Sequence, residues 1–244
     1  MHRFKITFFF LLALVNESSQ AQNMQATYAI EKNVNINTTS GSKTISLNLT
    51  GHYYKENNRY IYWQSPDYLL KYPTGIISFS TDNSSNTYSL NTDTVQTLFY
   101  HDYDSLIVRQ GLYSQYQRII TEYQFEAGRS QPWKYEKETK VINGLKCQLA
   151  TDRDQWRVWF CADFPVKTSL RSLQGLPGLV VEADCLPTDE HFILLSYDVH
   201  PTIRESVFKP DLLKQPMAKG GMLKSIKPNP EKTKLEKQQE LLKQ

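Results

Sequence analysis

Three cysteines in 244 residues are too few for a disulfide-framed small fold. The histidines are just as sparse. Apart from His2 near the start, His52, His101, His191 and His200 have no histidine or cysteine partner at metal-ligand spacing. His101-Asp102-Tyr103-Asp104 is the densest group of possible ligands. Neighbouring strand residues point to opposite faces, so a surface loop explains that group better than a metal site does. There is no nucleophile elbow, phosphate loop or defensible carboxylate pair, and nothing calls for a cofactor. No stretch of the body holds helical periodicity beyond two turns, and no internal repeat is visible. Long apolar runs are missing too: the run Ile6–Val15 is about half of what a membrane span needs.

That run follows Arg3 and Lys5 and leads to Ser19-Gln20-Ala21, small residues at the −3 and −1 positions for cleavage before Gln22. Residues 1–21 therefore read as a secretory signal peptide. The expected location is periplasmic or extracellular, with no integral membrane segment after cleavage. Cleavage leaves about 220 residues, enough for one β-rich domain over 22–210. The formal net charge of +3 is unevenly placed. Residues 212–244 hold eight Lys and three Glu, and the body from Gln22 to Asp211 carries about −3. The basic balance belongs to the tail, so it gives no reason to expect nucleic-acid binding by the domain. Residues 211–244 read as a mobile, solvated Lys/Glu/Gln-rich tail, with a helix start at Asn229-Pro230-Glu231.

What the body does contain is alternation. Met24–Ile36 reads as a strand with Tyr28 and Ile30 on one face, and Lys43–Thr50 alternates through Ile45, Leu47 and Leu49. Gly51 is expected to separate that strand from a pair turning at Asn57-Asn58. Further short runs lie at 75–80, 87–90, 94–100, 105–109 and 118–125, and Tyr135–Ile142 ends at the turn signal Asn143-Gly144. Ten or so such strands predict a mainly β fold: a curved antiparallel sheet forming an open half-barrel or a sandwich. Fifteen tyrosines accompany it. Tyr53, Tyr54, Tyr60, Tyr62 and Tyr68 look too many for one half-barrel to hide; exposed rings could line a groove, or could simply sit on strands with their hydroxyls in water.

Cys147–Thr151 and Trp156–Cys161 read as one hairpin. Pairing 147 with 160, 149 with 158 and 151 with 156 gathers Cys147, Leu149, Thr151, Trp156, Val158 and Phe160 on one nearly apolar face. In that register Cys147 points inward and Cys161 outward, so the two are not partners. Cys185 is in phase with Leu179, Val181 and Ala183 and also points inward. A Cys147–Cys185 disulfide is the expected pair, with three free buried thiols as the alternative.

After the hairpin comes Gly175-Leu176-Pro177-Gly178-Leu179-Val180. Pro177 presets φ, and Gly178 is expected to take the positive φ at the third position of a type II turn. A strand with Leu179, Val181 and Ala183 on its buried face follows. With Asn143-Gly144-Leu145-Lys146-Cys147, Trp159-Phe160-Cys161 and Phe164-Pro165-Val166, this turn resembles the GLPGLI family, secreted proteins of certain Gram-negative bacteria. The family's pattern has Gly-Tyr-x-Cys, Trp-Tyr-Thr and Ile-Pro-Ile at those places. It generally has Gly-Pro where this chain has Ser169-Leu170-Arg171-Ser172. The resemblance implies an envelope protein without assigned chemistry, suspected of working beside outer-membrane transport systems.

The reading that follows is a non-catalytic binding or accessory protein. Gly175, Leu176, Pro177, Gly178, Leu179 and Trp159 are its candidate contact residues, for an apolar small molecule, a peptide or an envelope partner. The rival is a thiol-based or hydrolytic enzyme using Cys161 or the His101, Asp102 and Asp104 cluster.

Overall fold

The structure is a computed structural model that describes residues 23–38, 41–81, 84–113, 118–124, 131–153, 155–167, 170–171, 173–209 and 217–219. Residues 1–22, with the expected signal peptide, and most of 210–244, including the expected helix start at Asn229, lie outside the described residues. The first described elements are a long hairpin, β1 (Met24–Thr38) and β2 (Gly41–Glu56), followed by β3 (Arg59–Ser65) and the one-turn helix α1 (Tyr68–Lys71). Next come β4 (Ile76–Thr81) and β5 (Ser84–Ser89), then β6 (Thr97–Asp102), β7 (Ile107–Tyr113) and β8 (Arg118–Gln124). The second half holds β9 (Lys134–Ile142), β10 (Leu145–Asp152), β11 (Trp156–Cys161), β12 (Leu179–Cys185) and β13 (Glu190–Asp198). A short β14 (Met217–Lys219) completes the order.

Twelve of these strands form one open, curved sheet in the order β14-β8-β7-β6-β3-β2-β1-β13-β12-β11-β10-β9, while β4 and β5 make a separate ribbon. The half-barrel reading holds. The pairing is antiparallel except where β14 runs parallel to β8. Part of the stretch expected as tail thus adds a strand to the sheet.

The alternation places the core. Met24, Ala26, Tyr28 and Ile30 of β1 share a face with Leu47, Leu49 and Tyr53 of β2, and all are buried. Phe192 and Leu194 of β13 lie on that same concave face, opposite Ile30 and Tyr28. Gly51 does not end a strand, because β2 runs through it. Its missing side chain is a packing requirement: a Cβ there would lie 2.8 Å from the Tyr62 hydroxyl and 3.2 Å from Ile30 Cδ1.

The tyrosines are hidden after all. Tyr53, Tyr60, Tyr62 and Tyr68 are buried, and only Tyr54 stays half-exposed, stacked on Trp63 with ring centroids 5.2 Å apart. Burial is tolerable because polar partners reach the hydroxyls. Tyr28 donates to the Val180 carbonyl, Tyr68 donates to the Asn91 carbonyl, and Gln64 Nε2 donates to Tyr62.

On the convex side, Ile61, Leu98, Tyr100 and Ile120 form a smaller core closed by Phe208. The segment carrying Phe208 is held there by Arg59, whose guanidinium pairs with Glu205 and lies over the Phe208 ring at 4.6 Å.

The β10–β11 hairpin departs from expectation by one residue. Asp152 pairs with Trp156, Ala150 with Val158 and Gln148 with Phe160, so three residues rather than four lie between the closing pair. Trp156, Val158 and Phe160 face the concave core, but they do so beside Gln148, Ala150 and Asp152. Cys147, Leu149, Trp159 and Cys161 share the opposite face and are buried there as well. Both faces of this hairpin are covered, so apolar alternation cannot choose between the two registers.

Candidate functional site

Between β11 and β12 the chain does not turn tightly. The described residues of this connection, 162–167, 170–171 and 173–178, leave the sheet and lie across its concave side as a strap. Val166, Leu170, Leu173 and Leu176 of the strap are buried in the main core, together with Tyr28, Tyr60, Phe160 and Phe192. Burying these four aliphatic side chains stabilises the crossing by roughly 6–12 kcal/mol before entropy is subtracted.

Polar contacts tie the strap to both flanks of the half-barrel. On the β9 side, Trp133 Nε1 donates to the Gln174 carbonyl at 2.6 Å, and the Tyr135 hydroxyl donates to the Gly175 carbonyl at 2.8 Å. On the opposite flank, Lys167 N donates to the Tyr60 hydroxyl, and the Gln174 amide lies 3.4 Å from His101 Nδ1 on β6. In the middle, Arg171 donates to Glu190 at 2.6 Å and lies over the Trp156 ring. Glu190 is buried and also accepts from Lys32 at 3.0 Å and Thr188 at 2.9 Å. The sheet does not close on itself; the strap spans its opening.

The positive φ expected at Gly178 falls on Gly175 instead, at +81°. Gly178 is required for close approach: a Cβ there would overlap the Cys161 carbonyl, 2.6 Å from its carbon and 2.9 Å from the Ala162 Cα. Arg171, in the interval without Gly-Pro, also takes a left-handed φ of 55°.

The candidate contact residues are therefore structural in their placement. Leu176 and Leu179 are buried, Gly175 and Pro177 are exposed at the turn, and Gly178 is wedged on Cys161. Trp159 is buried on the convex face, covered by Lys140, whose ammonium lies 4.4 Å from its ring centroid and pairs with Glu182 at 2.9 Å.

The groups of the rival enzymatic reading are not brought together. His101 points into the concave core, and burial lowers its pKa to about 4, so it is neutral at pH 7. The Asp102 carboxylate accepts from the amides of Asp104 and Ser105, and these bonds, against its partial burial, hold its pKa below the usual value. Asp104 accepts from the Asn58 amide. Asp102 closes its own turn, and Asp104 ties that turn to Asn58 between β2 and β3. Burial pushes the Cys161 thiol up, the opposite of an activated nucleophile. Among the described residues no three His, Cys, Asp or Glu side chains converge as a metal centre would require.

The expected Cys147–Cys185 pair does not fit either. Cys185 is paired with Trp156 at one end of β11, while Cys147 lies near the Cys161 end of that strand, on the strand beyond it. That separates them by about 17 Å along the strand direction alone. All three thiols are buried and free.

Sequence reasoning missed Glu190, Arg171 and Lys32. Nothing local marks them; only the crossing of the strap unites residues from 32, 171 and 190.

No family model and no curated protein matches this chain. Among solved structures it is similar to PNGF-II in two crystal forms, with TM-scores of 0.45 and 0.44 and 14% identity. Those matches cover 83% and 77% of this chain but 31% and 30% of PNGF-II, so the chain spans under a third of that protein's length. It is also similar to a DUF1329 family protein from Desulfovibrio piger, at a TM-score of 0.22 and 8% identity over 80% of this chain and 92% of the other. Scores below 0.5 carry nothing over to this protein.

Proposed function

We propose that this chain is a secreted, non-catalytic accessory protein of the cell envelope, of the GLPGLI type, that works by contact with a protein partner. The observation carrying this reading is the strap itself. It occupies the concave side where an apolar ligand would otherwise sit, and it includes the named turn. The residues with chemical potential are bound into structure: a neutral buried histidine, an aspartate that caps its own turn, a second that accepts from Asn58, and a thiol whose ionisation is opposed.

Contact surface remains on the convex side. Ile193 and Leu195 of β13 are exposed, Ile193 opposite Ala29 on the face away from Tyr28 and Leu195 at the bulge that follows, while Tyr197, opposite Ala26, is exposed on the strap's side with Phe164 against it at 5.0 Å. Exposed apolar residues gathered on one strand favour a protein contact.

The test is expression of the full chain in a Gram-negative host, followed by fractionation, N-terminal sequencing and native mass spectrometry. The expected outcome is periplasmic protein beginning at Gln22 and free of non-protein adducts, with a photo-crosslinker at position 195 yielding one defined protein adduct that is lost in Ile193→Asp. A co-purifying lipid or other apolar molecule would instead support a carrier whose strap moves aside.

A further inference from the structure

We infer that Cys147 and Cys161 form a cross-strand disulfide when the chain folds in an oxidising compartment, clamping the strand that launches the strap. The inference rests on the secretion reading above for its compartment alone; its geometry is independent of that reading.

The hairpin register carries it. Gln148 pairs with Phe160 as the last pair before the cysteines, so the next positions out are Cys147 and Cys161. Residues directly opposite on antiparallel strands hold their Cβ atoms about 4.5–5.5 Å apart on one face. A disulfide asks for a Cα separation of about 4.4–6.8 Å and Cβ atoms slightly closer than that face-to-face spacing, within small backbone adjustment. Both side chains are buried, at 1% and 0% exposure, and the register puts them on the same face of the hairpin. The adjoining positions hold them in place. Cys147 is paired with Lys140 on its outer side and Cys161 with Leu179 on its own, and Gly178 packs on the Cys161 carbonyl. Cys185, at the far end of β11 and on the concave face, is excluded.

The charge effects agree with this placement. Burial and the neighbouring Cys161 thiol together push the Cys147 thiol up to about 11. A thiol so hard to ionise reacts slowly once buried, so the bond is made while the hairpin is still open. The Cys147 thiolate attacks a disulfide oxidant, displacing one of its thiolates and leaving a mixed disulfide. The Cys161 thiolate then attacks the Cys147 sulfur and displaces the second. Two protein thiols lose two protons and two electrons, and the oxidant disulfide becomes two thiols. The closed ring links the strand entering the strap to the neighbouring hairpin arm, with 13 residues between the two cysteines.

The experiment unfolds the full chain in urea with reductant, refolds it in mixed reduced and oxidised glutathione, then alkylates it under denaturing conditions. The expected product takes up one alkyl group, at Cys185, and gives a peptide joining Cys147 to Cys161. Cys185→Ser takes up none. Adding reductant to the linked protein lowers its Tm by roughly 5–10 °C. Three alkyl groups in the refolded wild type, or any linkage through Cys185, overturns the inference. The same alkylation applied to protein recovered from cells separates the two readings. A chain that links in glutathione but is recovered with its leader attached and three thiols supports the clamp and overturns secretion. Periplasmic protein with three thiols overturns the clamp.

Discussion

Gly178 rests directly on the carbonyl of Cys161, so the end of the strap and its beginning touch where β11 and β12 meet. The contact is backbone on backbone, and no rotamer change can relieve an added methyl group. Gly178→Ala should therefore destabilise the fold by about 3 kcal/mol or more. Gly175, at φ +81°, faces only a conformational penalty, and Gly175→Ala should cost about 1 kcal/mol, largely recovered by Gly175→Asn. Urea unfolding of the three variants checks the order; equal costs at 175 and 178 would remove the close-approach explanation.

Gly51 makes room for a buried ring. In Gly51→Ala the new methyl group meets the Tyr62 hydroxyl first, at 2.8 Å, then its ring edge and Ile30. The expected cost is about 1–3 kcal/mol. Tyr62→Phe removes the closest atom, so the double variant should be less destabilised than the sum of the two single ones. A double-mutant cycle by thermal or urea unfolding measures that coupling.

Much of the fold was legible because most strands have one wet face. Tyr28 and Ile30 alternate with half-buried neighbours, Leu47 and Leu49 flank exposed Asn48, and the structure puts all four in the core as the pattern did. The β10–β11 hairpin failed the same test for a physical reason. Leu149 and Trp159 are buried on one side, Val158 and Phe160 on the other, and a one-residue slip changes little in the pattern. The strap was legible as a turn motif but not as a crossing. Leu170, Leu173 and Leu176 lack strand alternation, and their burial depends on a concave surface that exists only after the sheet has curled. Counting tyrosines likewise misled, because the strap packs into the same core and donates to Tyr60, while Tyr28, Tyr62 and Tyr68 find partners at Val180, Gln64 and Asn91.

Glu190 is the buried anchor of the strap, accepting from Arg171, Lys32 and Thr188. Glu190→Ala leaves two cations without their acceptor and should cost about 3–5 kcal/mol. Arg171→Ala leaves Glu190 with Lys32 and Thr188 and should cost about 1–2 kcal/mol. Both variants should speed amide exchange across the strap more than in β1 and β2. Exchange followed by mass spectrometry reads this directly, and uniform acceleration over the whole sheet would show that the pair has no special hold on the strap.

His101 makes stability depend on pH. Its Nε2 is buried with no hydrogen-bond partner among the described residues, and its Nδ1 faces the Gln174 amide; burial holds the ring neutral until about pH 4. In the unfolded chain the same ring takes a proton near pH 6.5. Between those values the unfolded state binds more protons, so stability present above about pH 6.5 is lost as pH falls toward 4, and the loss is complete below that. The full effect is about 3 kcal/mol. His52, half-buried, is shifted down by its own burial and adds to the same trend, so the comparison must be made between variants that both keep it. Urea unfolding of the wild type and His101→Leu at pH 7 and pH 5 isolates the residue. The wild type should lose more stability between the two pH values than the variant does, and parallel losses in both would mean that the buried ring does not set the dependence.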